Sequence, residues 1–402
     1  MRTTHFILLA IIYALTPLAH DMYIPAMGII ATDMQSSLPS IQSSLAAYTF
    51  AFGLTHIFFG PMIDRFGRKP ILVWGLFAFV LSTMLCVFAK NSAQFIIIRM
   101  IQGAAGAASA VVVPAIIRDF YRDAEYAHAL STVTLISLAA PLVAPIAGGY
   151  ITKLLGWNWI FYILAILSIA TLIAANRIEE TIHDHHRQTI SFGAVGKRVA
   201  YFWKMDDIRH LLLCSSFSFA GLFSFLVEAN KIYVQYYQVP IDIMGYFTAA
   251  NVVGLIIMTR VNQHYVRRLG TSTMLKIGIT IQTLSGVALI VAFFAWDNLL
   301  TTCLLLISYM SCVAIIGSNT QTIALNDHPQ LAGTLSSILS TARYVLGGLA
   351  GFMVSFASGS DPLGTFIFML ACAIAMTWCG FKGIMHSEKR HAHQANQNTA
   401  LT

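Results

Sequence analysis

Several charged side chains in this 402-residue chain lie where the surrounding sequence is apolar, and chemistry is expected there. Asp21 stands within the first apolar run. An ionised carboxylate at the centre of a bilayer costs roughly 2.5–3.5 kcal/mol on insertion scales. Desolvation favours its protonated form, whereas a nearby cation favours the ionised one. A group held between those influences can change protonation as its surroundings open to one side or the other. Asp21 is therefore the expected proton carrier, with a structural hydrogen bond near a helix end as the plainer alternative. Arg99 keeps its charge in practice and needs a carboxylate, backbone carbonyls or water. Asp21 is its candidate partner, and snorkelling to an interface is the alternative. Arg343 lies about twelve residues into its own run, too deep to snorkel, and should face a cavity or a buried partner. Glu228 and Lys231 are three apart, so on a helix they can pair. They read either as a structural ion pair or as a polar substrate contact, with Glu228 a second candidate for proton coupling. Tyr23, Gln102, Asn230, Asn251 and Asn319 complete the polar candidates for a substrate cavity.

The elements that must position these residues follow from composition. Hydrophobic residues are 57% of the chain and charged residues 10%, against about 25% in an average soluble domain. A soluble surface cannot be built from so few charges, and the mean hydropathy of +0.71 agrees. A cytosolic enzyme, a disordered chain and a compact secreted domain are excluded. The net charge of +7 does not point to nucleic acid, because the basic residues sit in short clusters between apolar runs. A bilayer core of about 30 Å needs roughly 20 helical residues. Twelve such runs are predicted, at 6–29, 41–63, 71–90, 94–118, 128–153, 158–176, 208–232, 243–262, 273–296, 298–321, 331–357 and 362–384. Continuous apolar runs exclude a β-barrel. Arg2 and the run after it resemble a secretory signal, but the run continues past Asp21 to Gly28 and eleven more follow, so an uncleaved first helix is expected.

Orientation follows from Lys and Arg. With the N-terminus inside, all but five of the 24 fall in cytoplasmic segments; Lys90, Lys153 and Lys231 lie toward the far side, and Arg99 and Arg343 lie within runs. Both termini are expected to be cytoplasmic. The hydrophilic stretch 177–207 divides the chain into halves at 1–176 and 208–384, with a polar tail at 385–402. His183-Asp184-His185-His186 in that stretch, and His386, His391 and His393 in the tail, read as solvated loop residues and not as a metal site, since no helix face fixes a ligand spacing. The six cysteines all fall inside apolar runs and read as small hydrophobes. Asp64-Arg65-Phe66-Gly67 and Arg267-Arg268-Leu269-Gly270 occupy corresponding loops, the mark of a repeat-built transporter. No phosphate-binding Gly-Lys loop, HExxH or nucleophile elbow is present, so energy must come from an ion gradient or from the substrate's own gradient.

The most specific motif is Gly60-Pro61-Met62-Ile63-Asp64-Arg65-Phe66-Gly67-Arg68-Lys69, read as a cytoplasmic turn in which Gly60 and Gly67 permit close packing. Asp119 is a candidate partner for Arg68, and the cluster can latch the cytoplasmic side shut. Pro141 and Pro145 each remove a helix hydrogen bond, and Gly148-Gly149 extends the soft segment. Tyr13, Tyr23, Tyr48, Phe217, Phe219 and Phe223 can line a pocket, whereas Trp157 and Trp159 fit an interfacial belt.

The ten-residue motif resembles the major facilitator superfamily signature G-x-x-x-D-R-x-G-R-[KR]. Arg99-Met100-Ile101-Gln102-Gly103 is similar to that superfamily's Arg-x-x-Gln-Gly motif, and residues 140–149 resemble the Pro/Gly-rich motif of drug:proton exporters. Asp21-Met22-Tyr23-Ile24-Pro25-Ala26, Phe217-Ser218-Phe219-Ala220-Gly221, and Ala332-Gly333-Thr334 followed by Arg343 resemble the Bcr/CflA-type subfamily. The resemblance implies an all-α integral membrane protein, twelve transmembrane helices in two six-helix halves around a central cavity. It also implies export of bicyclomycin, chloramphenicol and similar molecules against protons. No cofactor beyond the proton gradient is expected, and the partners are small-molecule substrate, protons and membrane lipid, with the chain a monomer. The charges at Glu228 and Lys231 depart from the subfamily pattern and favour a charged or zwitterionic cargo, so a dedicated exporter of a polar metabolite or metal chelator is the alternative. A non-transporting sensor lacks any recognisable signalling domain.

Overall fold

The computed structural model describes residues 3–181, 192–357, 359 and 361–401. His183-Asp184-His185-His186 lies outside the described residues. Fourteen α-helices follow one another among them: α1 (Thr3–Asp21), α2 (Met27–Asp33), α3 (Leu38–Phe66), α4 (Arg68–Val87), α5 (Ser92–Phe120), α6 (Asp123–Leu155), α7 (Asn158–Ala175), α8 (Phe192–Lys204), α9 (Asp206–Asn230), α10 (Ile241–Leu269), α11 (Thr271–Ala295), α12 (Leu299–Asp327), α13 (Ala332–Ala357) and α14 (Leu363–Leu401). Twelve helical segments are long and apolar enough to cross a membrane, with α1 and α2 together forming the first. They match the twelve predicted runs, most extending a few residues beyond them.

The connections explain how so short a set of loops can join so many helices. Gly67 ends α3 with φ +99° and Gly270 ends α10 with φ +81°, a region open to glycine at little cost. Asn91 and Asn298 then restart helices after tight turns, each accepting from a backbone N–H three residues on, at 2.9 Å. The internal repeat is thus visible in paired turn devices as well as in the Asp64 and Arg267 loops.

Three expectations need correction. The first span is not one helix: α1 stops at Asp21, a 3-10 turn occupies Ile24–Ala26, and α2 completes the crossing. Pro25 has no N–H to offer the Asp21 carbonyl, so the helical ladder breaks there. The stretch 177–207, expected as a loop, holds helix α8, whose Val195, Val199 and Phe202 recur at helical spacing among Lys197, Arg198 and Lys204. The polar tail continues α14 as helix through Leu401.

The chain forms two compact units. One contains residues 1–192, 226–250 and 348–362; the other contains 193–225, 251–347 and 363–402. In the first unit α5 packs on α3 and α4, and α6 packs on α1. Glycines make these approaches possible. A Cβ on Gly103 would strike the Tyr48 carbonyl, and one on Gly148 would strike the Met22 carbonyl. Gly149 and Gly245 bring α6 and the start of α10 together, Gly149 meeting the Ile241 carbonyl and Gly245 the backbone of Pro145 and Ile146. α6 runs as one helix through Pro141 and Pro145. Gly60 differs from its expected role: it lies within α3 and a Cβ there meets nothing within 4 Å. In the second unit α11 packs on α12 and α14. Trp157, expected in an interfacial belt, is buried with its Nε1 donating to Asp33 at 2.7 Å, whereas Trp159 is exposed.

These contacts separate two glycine classes. Gly103→Val and Gly148→Val should each destabilise the protein by about 1–3 kcal/mol through overpacking, and Gly60→Ala should change stability by about 0.5 kcal/mol or less. Six buried free cysteines make a thiol-reactive fluorophore the natural reporter of a melting curve. Equal midpoints for all three variants would contradict the packing account.

Candidate functional site

A fully enclosed polar group of the first unit surrounds Arg99. Position 99 falls on the face of α5 that meets α1, α3 and α4, and its side chain is 0% exposed. Its guanidinium lies 4.2 Å from the ring centre of Tyr23 and 4.5 Å from that of Tyr48. One terminal nitrogen donates to the Ala19 carbonyl at 3.1 Å and to Gln102 Oε1 at 2.5 Å. Gln102 is held in turn by donating to Thr83 Oγ1 at 2.7 Å. Among the described residues, Nε and the second terminal nitrogen have no hydrogen-bond partner. The buried cation is therefore met by two π faces, a backbone carbonyl and an amide.

Asp21, the candidate partner for Arg99, is engaged elsewhere. Its Oδ1 lies 2.5 Å from Nδ1 of His20, whose Nε2 lies 3.0 Å from Thr49 Oγ1. The His20 ring stands edge-on to Tyr48, 5.6 Å between centres. Sequence reasoning passed over His20 and Thr49. The available signal was a second titratable residue directly beside the acid inside an apolar run. Tyr23, on the turn after α1, is fully buried and shares a hydrogen bond with Ser44 at 3.0 Å.

The ends of α3 and α4 form a second cluster. Arg68 donates to Asp64 at 2.7 Å and to Asp119 at 3.3 Å, which is the pairing the spacing predicts, and also to the Ile63 carbonyl at 2.9 Å. Glu180, which the sequence did not single out, accepts from the backbone N–H groups of Arg68 and Lys69 at 3.0 and 3.2 Å. The first turn of α4 is thereby capped from outside the motif. A Cβ on Gly67 would collide with that same carboxylate. Lys69 donates to the Asn176 carbonyl at 2.8 Å. Arg65 lies over the ring of Phe66.

A third group lies at the end of α9. Lys231 donates to Glu228 at 2.9 Å, with the Glu228 side chain 0% and that of Lys231 9% exposed. Lys231 opens a π-helical turn, Lys231–Tyr236. Asn230 turns the other way and donates to the Ile24 and Pro25 carbonyls at 3.3 and 2.7 Å, in the broken part of the first span.

The remaining cavity candidates belong to the second unit. Asn319 donates to Asn262 and to the Ile315 carbonyl, both at 2.8 Å, so its amide is engaged within its unit. Arg343 packs its guanidinium against Gly317, with no carboxylate within 4 Å among the described residues. Asn251 is buried. Among the described residues no group of three His, Cys, Asp or Glu side chains is placed to hold a metal ion.

Residues 9–352 match the family model described as Major Facilitator Superfamily. The chain belongs to the Major Facilitator Superfamily. It is a multi-pass membrane transporter, not an enzyme, and its family takes small-molecule substrates. It is similar to the Bicyclomycin resistance protein homolog of Haemophilus influenzae, 32% identical over 367 residues, 91% of this chain and 92% of that protein. It is also similar to Multidrug resistance protein D of Escherichia coli K12, 29% identical over 178 residues, 44% of this chain and 45% of that one. Its fold resembles that of a mutant of the nucleoside transporter NupG, with a TM-score of 0.75 and 11% identity, covering 95% of this chain and 99% of that one.

Because Glu180 caps the signature from outside it, Glu180→Ala should lower stability by about 0.5–2 kcal/mol, the cost of a lost helix cap. Gly67→Ala should lower it further, because the left-handed backbone and the Glu180 carboxylate both oppose a Cβ. Melting of the detergent-purified variants measures both. A Gly67→Ala protein as stable as wild type would contradict this geometry.

Proposed function

We propose that this transporter exports small, drug-like molecules from the cytoplasm in exchange for protons, by alternating access. The observation that carries the reading is Asp21, 8% exposed, on the same helix whose Ala19 carbonyl accepts from the permanently charged and fully buried Arg99. A carboxylate in that setting is costly when charged and is helped by the nearby cation, so small changes in surroundings decide its protonation. The names of the Haemophilus and Escherichia relatives favour drugs as cargo.

The distribution of basic residues favours both termini on the cytoplasmic side, and the bacterial relatives favour an inner membrane. The Asp64–Arg68–Asp119 cluster then lies at the cytoplasmic face, where its ion pairs serve as the inner latch. On the opposite face, Asn230 against Ile24 and Pro25, and Lys153 paired with Asp242 at 2.8 Å, serve as the outer closure. Arg99 sets the field around Asp21, and Tyr23 with Gln102 holds Arg99 in place. Glu228 with Lys231 forms a neutral polar pair and is the second site tested for coupling. Exchange requires that substrate weaken proton binding by as much as the proton weakens substrate binding.

Substrate-induced proton release from the detergent-purified protein near pH 8 tests this. Bicyclomycin or chloramphenicol should release protons from wild type and not from Asp21→Asn, with Glu228→Gln locating any second proton. Release only with polycarboxylate chelators would replace drugs by a dedicated metabolite cargo. Undiminished release from Asp21→Asn would remove Asp21 from the mechanism.

A further inference from the structure

His20 has no role in the mechanism above, yet it is the side chain in contact with the acid. We propose that the exchanged proton is held by His20 and Asp21 as a pair, with Thr49 serving both protonation states of the ring. The inference rests on the proton-exchange reading and assigns to it a residue that neither superfamily motif contains.

The geometry has three parts. His20 Nδ1 is 2.5 Å from Asp21 Oδ1, close enough for one proton to lie between an imidazole and a carboxylate. Nε2 is 3.0 Å from Thr49 Oγ1. A hydroxyl both donates and accepts, so it can donate to a bare Nε2 and accept from a protonated one. Proton uptake by the ring therefore leaves no buried polar atom unpaired. The two side chains are 16% and 12% exposed, buried enough to feel each other yet within reach of water.

The electrostatics agree. Loaded, the pair is an imidazolium beside a carboxylate and is neutral overall; unloaded, it is a neutral imidazole beside a carboxylate and carries one negative charge. One proton leaves to water on the open side and no other bond changes. Arg99, across Tyr48 from the ring, adds a fixed positive charge that opposes a lone imidazolium but tolerates a neutral pair. Tyr48 on α3 is a titratable neighbour of the ring, while Tyr23 on the turn and Cys86 on α4 lie near Arg99. Of the helices packed on α1, α7 bears no charged residue. On α6 the charged or basic residues lie toward the ends: Asp123, Glu125 and His128 at one, Lys153 with Tyr150 at the other. Lys153 is already paired with Asp242, and Lys231 with Glu228.

The pair makes a claim that Asp21 alone does not. A model histidine titrates near 6.5 and a model Asp near 3.9, so removing His20 should make the site load only in more acid medium. Full-length protein labelled with 15N-histidine, in detergent, gives the direct readout by NMR, with His20→Gln identifying the resonance. The His20 ring should change protonation between pH 5 and 9, and Asp21→Asn should move that change at least tenfold in proton concentration. In parallel, His20→Gln should lose at least fivefold of the bicyclomycin-induced proton release at pH 7.5, with drug binding retained, and recover it in more acid medium. Thr49→Val should weaken loading, and Thr49→Ser should restore it. A His20 resonance fixed from pH 5 to 9, or a release profile unchanged in a folded, drug-binding His20→Gln protein, overturns the pair and leaves Asp21 alone. A His20 ring that titrates in wild-type protein releasing no protons with any drug overturns the exchange reading itself, and with it the carrier role of the pair.

Discussion

An arginine that keeps its charge, wholly buried in a helix that crosses a membrane, is the constraint on which the rest of the structure turns. A lone cation at that depth is costly. Here the cost is spread over the faces of Tyr23 and Tyr48, the Ala19 carbonyl and Gln102, with no carboxylate bound to it among the described residues. Each of those partners sits on a different segment. The positions of α1, the turn after it, α3 and α5 are therefore tied to the same guanidinium. Gly103, one residue from Gln102, lets α3 approach α5 closely enough for Tyr48 to reach the charge.

Leaving Asp21 out of that cage has a chemical consequence. A carboxylate locked to Arg99 would be held ionised, and a proton could visit it only by breaking a buried ion pair. Sharing His20 instead places the acid against an imidazole, a second group able to hold a proton, with the arginine on the far side of Tyr48. The broken first span serves the same end. Pro25 interrupts the helix just beyond Asp21, and the carbonyls of Ile24 and Pro25 are met by Asn230. The segment that carries the acid is thus tied to the end of α9, where Glu228 and Lys231 neutralise each other.

Much of this is legible in the residues themselves. Twelve apolar runs give twelve spans, because backbone polar groups in a bilayer must be satisfied within the helix. The Arg68–Asp119 pairing follows from two charged helix ends expected on one side of the membrane. Other features depend on contacts distant in sequence. Glu180 reaches back over a hundred residues to cap α4, and nothing local marks it as a cap. Asn319 reads in sequence as a cavity candidate, and its bond to Asn262 depends on a distant helix, since a buried amide serves a neighbouring helix as readily as a ligand. Gly60 looked like a turn glycine because of its motif, although the turn needs its left-handed residue only at Gly67. Helix α8 was hidden by a charged stretch whose apolar residues recur at helical spacing. His20 is visible in the sequence as a base beside the acid, but nothing local marks its ring, and not Arg99, as the partner of Asp21.

The account's central claim is that this protein couples the movement of a small molecule to a proton, and transport against a gradient measures that most directly. In liposomes containing only the purified protein, an acid interior should drive bicyclomycin to accumulate inside above its external concentration. A protonophore should abolish that accumulation, and Asp21→Asn should never show it. Equilibration to the external concentration, whatever the imposed pH difference, would contradict the account and make this chain a facilitator of downhill flow.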